Sequence, residues 1–247
     1  MINVAVIGAA GRMGQTVVRA VNGAKDMTVV AELDAGDDVA ASARAGAQVA
    51  VDFTEPSVTE ANVHALIDAG VHAVVGTSGW GADALARVDE HLKERPEIGV
   101  LIAPNFAIGA VLAMRFSAIA ARYFESVEVV ELHHPDKVDA PSGTAAHTVR
   151  EIAAARAAAG VGPSPDATQS DPDGARGALM DGVRVHSVRL RGLVAHQETL
   201  LGNAGEQFTV RHDSFDRVSF MPGVLLGIRE VGLHPGLTVG LDHYMDL

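Results

Sequence analysis

Apolar residues along this chain arrive in short blocks, and the spacing inside each block separates strands from helices. Residues 2–7, INVAVI, are a β-branched run with no helical spacing, and they break directly into the glycine-rich GAAGRMG of residues 8–14. That reads as strand, turn and helix. Beyond Gly14, Val17, Val18 and Val21 fall at i, i+1 and i+4, which gives a helix one apolar side. MTVVAEL predicts a second strand ending at Asp34. The alternation continues through QVAVDF, a helix over roughly 57–69, HAVVGT, a helix over roughly 81–94, and IGVLIAP. Strands and helices in this rhythm imply a parallel sheet covered on both faces.

The rhythm changes after Asn105. A long apolar helix over about 107–121 is followed by the strand SVEVVELHH and an Ala-rich helix near 144–159, so a second architectural unit is expected to begin here. Residues 160–182, GVGPSPDATQSDPDGARGALMDG, are rich in Gly, Pro, Asp and Ser and predict a long exposed loop. VRVHSVRL, HQETLLG and EQFTVRHD read as strands of an antiparallel sheet, with Asn203-Ala204-Gly205 as a hairpin turn. FMPGVLLGIREVG is apolar and helix-like, with Pro222 tolerated near its start, and is expected to return to the first domain. The expected division is residues 1–106 with 217–247 in one domain and 107–216 in the other.

Composition narrows the classes of partner more than it changes this plan. With 48% hydrophobic and 20% charged residues in 247, the chain has the makeup of an ordered globular protein. It contains no cysteine, which excludes disulfides, cysteine nucleophiles and thiolate metal sites and fits a cytoplasmic home. The first residues lack the basic segment and apolar stretch of a signal peptide, and no run approaches the ~18 apolar residues of a membrane span. A net charge of −12 opposes attraction to nucleic acid or to anionic membranes. An anionic substrate therefore needs a local basic pocket.

Two stretches carry chemistry. Gly8-Ala9-Ala10-Gly11-Arg12-Met13-Gly14 is a GxxGxxG loop between the first strand and the first helix. Glycine permits a tight turn and a close backbone approach to pyrophosphate, and the helix start offers free N–H groups to the anion. Asp34 follows at the end of the second strand, where an acid can accept hydrogen bonds from both adenosine ribose hydroxyls. This placement points to a nicotinamide dinucleotide. An acid there repels a 2′-phosphate and favours NADH, whereas Arg12 can pair with that phosphate and admit NADPH, so a modest NADH preference is expected. Gly76-Thr77-Ser78 and Ala103-Pro104-Asn105-Phe106 follow later strands at their carboxyl ends and are candidate walls for the nicotinamide half.

The second stretch, Glu131 to Thr144, reads ELHHPDKVDAPSGT. It places His133, His134, Lys137 and a Ser-Gly-Thr turn between a strand and a helix. Lys137 supplies a compact cation, and the backbone and hydroxyl of Gly143-Thr144 at a helix start supply donors for carboxylate oxygens. Metal binding is not expected, because adjacent residues of a strand point to opposite faces and the two imidazoles would not converge on one ion.

With VIGAAGRMG at the N-terminus and ELHHPDKVDAPSGTA in the centre, the sequence closely resembles the 4-hydroxy-tetrahydrodipicolinate reductase family, also called dihydrodipicolinate reductase, over nearly its whole length. The resemblance implies an α/β fold in which an N-terminal Rossmann-type dinucleotide-binding domain is interrupted by an α+β substrate and oligomerisation domain with a mixed sheet. It also implies a homotetramer, NADH or NADPH as cofactor, a small dicarboxylate substrate, and a place in lysine and diaminopimelate synthesis. Carried over by position, His133 is the proton donor and acceptor and Lys137 a further proton donor. His134, Lys137, Gly143 and Thr144 bind substrate, while Gly8 to Met13, Asp34, Gly76 to Ser78 and Ala103 to Phe106 contact cofactor. Some members carry an arginine just after the acid of the second strand, whereas Ala35 stands here, which weakens the case for NADPH. The competing readings are another nicotinamide oxidoreductase with an interrupted Rossmann plan, against which the HHPDKVDAPSGT segment argues, and a dinucleotide-sensing regulator without chemistry, which has no evident need for clustered proton donors.

Overall fold

In the computed structural model, which describes residues 1–247, the chain divides into two units, Met1–Ala107 with Arg217–Leu247 and Ile108–Asp216. The first unit opens with β1 (Ile2–Ile7), α1 (Arg12–Gly23), β2 (Met27–Leu33), the single turn α2 (Ala41–Arg44) and β3 (Val49–Asp52). It continues through α3 (Thr59–Ala69), β4 (His72–Val75), α4 (Ala82–Leu92) and β5 (Gly99–Ile102). VAVD, VLI and AVV lie in strands buried along almost their whole length, which is why they read as continuous apolar runs rather than alternating ones. Helix α1 buries Val17 and Val21 with Gly14 and Thr16, as its one-sided spacing predicts. Helix α3 stops at Gly70, whose φ of 73° lets its N–H turn back onto the carbonyls of Leu66 and Ile67.

The six strands of this sheet, with β11 (Gly236–Val239) at one edge, are all parallel and run in the order β11-β5-β4-β3-β1-β2. The chain moves from β1 outward to β2 and then crosses back to β3 on the other side of β1. Order therefore reverses between β1 and β3, and a crevice opens at the carboxyl ends of strands on either side of such a reversal. The last two elements come from the end of the chain. Helix α7 (Met221–Glu230) carries Pro222 in its first turn, where a missing N–H costs nothing, and buries Met221, Val224 and Ile228. Strand β11 (Gly236–Val239) adds to the edge of β5. Sequence pattern did not mark β11, since four residues after a proline are too few to show a period.

The second unit holds α5 (Ile108–Ala120), β6 (Ser126–His133), α6 (Gly143–Ala158), β7 (Ala178–Met180), β8 (Val183–Arg189), β9 (Ala195–Asn203) and β10 (Glu206–Ser214). Its sheet is mixed, in the order β10-β9-β6-β8-β7. The expectation that β8, β9 and β10 form an antiparallel sheet holds for β9 and β10, but β8 pairs parallel with β6. Parallel neighbours need a long crossover, and the connection through α6 supplies it. The segment 160–182, expected as loop throughout, also contains β7, which turns into β8 through Asp181 and Gly182 at φ 46° and 82°. Positive φ at both central residues is the tight hairpin turn that Asp-Gly favours. Elsewhere in the segment Asp171 accepts from the N–H groups of Ala175 and Arg176, and Arg176 is ion-paired with Glu128. The core gathers Val127 and Val129 of β6, Ala145, Val149 and Ile152 of α6, Val183 and Val185 of β8, and Leu201 of β9. No helix is long and apolar enough to cross a membrane.

Candidate active site

In the first unit the glycine loop is built so tightly that side chains are excluded. A Cβ on Gly8, whose φ is 81°, would lie 2.6 Å from the Phe53 carbonyl oxygen, and one on Gly14 would lie 2.0 Å from the Gly8 oxygen. The loop backbone is anchored by N–H bonds from Gly8 and Ala9 to the Leu33 carbonyl. Ala9 and Gly14 are buried, while Ala10, Gly11 and Arg12 face solvent and Met13 is half-buried. The Asp34 carboxylate accepts from the Ala10 N–H at 3.0 and 3.1 Å, so the acid at the end of β2 sits against the loop. Helix α1 begins with no side chain capping its first N–H groups. A backbone cradle that a single methyl would fill, open helix N–H groups and an adjacent acid together fit a dinucleotide's pyrophosphate and ribose.

The other expected contacts lie at the carboxyl ends of β4 and β5. Gly76 leaves room for the Phe53 ring, whose edge would stand 2.0 Å from a Cβ at that position. Thr77 is buried, donates to Asp52 at 2.9 Å and accepts from the Thr54 N–H at 2.9 Å, whereas Ser78 is exposed. Ala103 and Phe106 are buried and Pro104 exposed; the Asn105 side chain accepts from the Ala107 N–H at 2.8 Å. Fully buried Asp52 ties the turn after β4 to the one after β3 and to α3, accepting also from Thr54 and Asn62. Sequence reading passed over Asp52, Phe53 and Thr54. The signal was the acid that ends the apolar run VAV where the strand order reverses.

In the second unit His133, His134, Lys137, Gly143 and Thr144 cluster around the end of β6 and the start of α6. Ser142 caps α6 by accepting from the Ala145 N–H at 3.1 Å, which places Gly143 and Thr144 in the first turn. Lys137 donates to Asp139 at 2.6 Å and its N–H reaches the His134 carbonyl at 3.3 Å. The Nδ1 of His134 is buried without a hydrogen-bond partner. His133 holds its Nδ1 2.5 Å from the Glu131 carboxylate. Burial pushes the His133 imidazole below its ordinary pKa, outweighing the Glu131 charge that pulls it up. Glu131 is wholly buried and receives both arms of the Arg189 guanidinium, at 2.7 and 2.8 Å, and the Ser142 N–H at 3.2 Å. Neither Glu131 nor Arg189 was singled out from sequence, since the two stand 58 positions apart and meet only because β8 lies beside β6. Nowhere in the chain do three or more His, Asp or Glu side chains gather as they would around a metal ion.

Comparison with known proteins gives this arrangement its context. Residues 2–106 match the family model described as dihydrodipicolinate reductase, N-terminus, and residues 109–245 match the one described as dihydrodipicolinate reductase, C-terminus. The 4-hydroxy-tetrahydrodipicolinate reductase of Beutenbergia cavernae is 67% identical over 246 residues, covering 100% of this chain and 99% of that protein. That of Streptomyces coelicolor is 60% identical, covering 100% and 98%. Among solved structures, dipicolinate-bound dihydrodipicolinate reductase from Paenisporosarcina sp. TG-14 superposes with a TM-score of 0.85 at 35% identity, over 98% of this chain and 99% of that one. A probable dehydrogenase from Thermotoga maritima shares the fold alone, at 11% identity and a TM-score of 0.61.

Proposed function

This chain belongs to the dihydrodipicolinate reductase family, and on that premise we infer that it reduces 4-hydroxy-tetrahydrodipicolinate, or its dehydrated dihydrodipicolinate form, to tetrahydrodipicolinate with NAD(P)H, on the route to diaminopimelate and lysine. The observation that carries the assignment of residues is the gathering of two imidazoles, a lysine and the Gly143-Thr144 first turn of α6 at the end of β6. We assign residues 1–106 with 217–247 to dinucleotide binding, through Gly8, Ala9, Ala10, Gly11, Arg12, Met13, Asp34, Gly76, Thr77, Ser78, Ala103, Pro104, Asn105 and Phe106. Residues 107–216 are assigned to the substrate and to assembly, as a homotetramer whose mass in solution light scattering or sedimentation tests. A cytoplasmic location accords with the absence of cysteine.

The relative from Paenisporosarcina holds dipicolinate, a flat ring with two carboxylates. A ligand of that class fits Lys137, His134 and the Gly143-Thr144 turn, with Lys137 exchanging the half-exposed Asp139 for a substrate carboxylate. When bound, the reduced nicotinamide supplies the hydride. Hydride added to the conjugated imine leaves an electron pair along the ring, and His133 as imidazolium delivers the proton that neutralises it. Lys137 steadies the developing charge or supplies a proton. Because these interactions strengthen only as charge develops, His133→Gln lowers kcat far more than it raises KM, followed through oxidation of the reduced cofactor on freshly generated substrate. A normal kcat with a raised KM reassigns His133 to binding, and no cofactor consumption on this substrate removes the reading altogether. Asp34, with Ala35 in place of an arginine, supports a modest NADH preference, which a large NADPH preference in initial rates overturns.

A further inference from the structure

We propose that Glu131 and Arg189 together are a positioning device for His133, fixing which of its ring nitrogens is free to exchange a proton with the substrate. The proposal rests on the role of His133 given above and deepens it. Along β6 the inward positions are Val127, Val129, Glu131 and then His133, so a carboxylate occupies a place that alternation reserves for an apolar side chain. A buried charge is costly to desolvate, and a buried ion pair is often no better for stability than apolar residues of the same volume. Stability alone therefore gives no reason for this pair.

The geometry supplies one. Both Glu131 oxygens are engaged by Arg189, at 2.7 and 2.8 Å, and one also accepts from the Ser142 N–H at 3.2 Å. Burial pushes the Glu131 carboxyl up, but hydrogen bonds from Arg189, Ser187 and His133 outweigh it and hold the group below the usual range, ionised at neutral pH. An ionised carboxylate only accepts. The His133 nitrogen 2.5 Å from Glu131, Nδ1, must then carry hydrogen, which leaves Nε2 as the nitrogen that gains and releases the catalytic proton.

Arg189 does a second task. A lone carboxylate beside His133 would trap the ring as imidazolium, whereas Arg189 stands directly across from His133 on β8 and offsets that charge. The charged groups facing His133 are Glu131 from its own strand, Arg189 from β8 and Lys137, paired with Asp139, from the following loop. Strand β9 presents uncharged Ala195 and Gln197 opposite His133 and Glu131. Arg189 also donates to the Asp139 carbonyl at 2.7 Å, so the same guanidinium ties down the loop that carries Lys137.

The test combines three measurements. The 15N spectrum of the neutral His133 ring in the intact protein should show hydrogen on Nδ1, and hydrogen on Nε2 overturns the proposal without any substitution. Glu131→Gln should lower kcat by on the order of 100-fold while leaving substrate KM within about threefold, and should scramble the tautomer. It should also move the limb of the pH profile that reports His133 to lower pH, because the one group raising that pKa is gone. A kcat within about twofold of the parent enzyme, with the limb and spectrum unmoved, sinks the assignment. If Glu131→Gln does not fold, Arg189→Lys, which keeps a cation but loses the two-armed grip, takes the same readouts. His133→Gln run alongside separates the failures. If it is fully active, the role of His133 itself is wrong; if it is crippled while Glu131→Gln is normal, only the positioning is wrong.

Discussion

His133, proposed above as the proton donor, sits in an environment that works against its charge. Burial holds its pKa below the ordinary 6.5, with Glu131 resisting and Lys137 and Arg189 reinforcing the shift. Acting as an acid, it is competent only while protonated, so activity declines as pH rises through its pKa. In the kcat/KM profile, which reports the free enzyme, that decline should be centred below 6.5. In the kcat profile the two substrate carboxylates favour the imidazolium, and the decline should move to higher pH. Profiles with both limbs above 6.5 would contradict the burial argument. Much at this scale was legible in the sequence, because adjacent histidines, a lysine and Ser-Gly-Thr have chemistry visible without coordinates. The groups that hold them were not. Glu131 lies inside the quoted motif yet announces no role until its inward direction on β6 is known, and Arg189 belongs to a distant strand whose neighbour no local pattern specifies.

At the scale of elements, polar groups inside the second unit do the work of joining turns. Arg156, on α6, is buried and has no carboxylate partner; its guanidinium instead donates to the carbonyls of Phe124, Glu125 and Gly162 at 2.8, 2.9 and 2.7 Å. It thereby fastens the turn between α5 and β6 to the chain leaving α6. Arg156→Met keeps the volume but strands those oxygens, and should cost about 2–5 kcal/mol in chemical denaturation. A change under about 0.5 kcal/mol would mean that water replaces the guanidinium freely. Element boundaries came within a residue or two for α3 to α6, since apolar period and a glycine stop are local signals. Strand direction was not local. Nothing in VRVHSVRL distinguishes a parallel from an antiparallel neighbour, and only the path through α6 decides it for β8. The Asp181-Gly182 pair is a local turn signal, masked by the Gly, Pro and Asp that crowd the segment before it.

For the whole molecule, the first unit is assembled from both ends of the chain. Gly227 of α7 packs against Leu101, Val74 and Phe106, and β11 completes the sheet beside β5. Ending the chain after Asp216 removes both elements and uncovers apolar residues of β4 and β5. Such a protein should lose cofactor binding and become readily cleaved by protease within residues 1–107, whereas Ile108–Asp216 keeps its own core. Retained cofactor affinity in the shortened chain would show that α7 and β11 are dispensable. The same arrangement sets a timetable for synthesis. Translation delivers the glycine loop well before α7 and the strand β11 that completes its sheet, so the nascent first hundred residues wait, incomplete, while the inserted unit emerges with its own core. Completion of the first unit thus trails that of the insert, and a message stalled after Asp216 yields chains able to build the insert but not the fold around it.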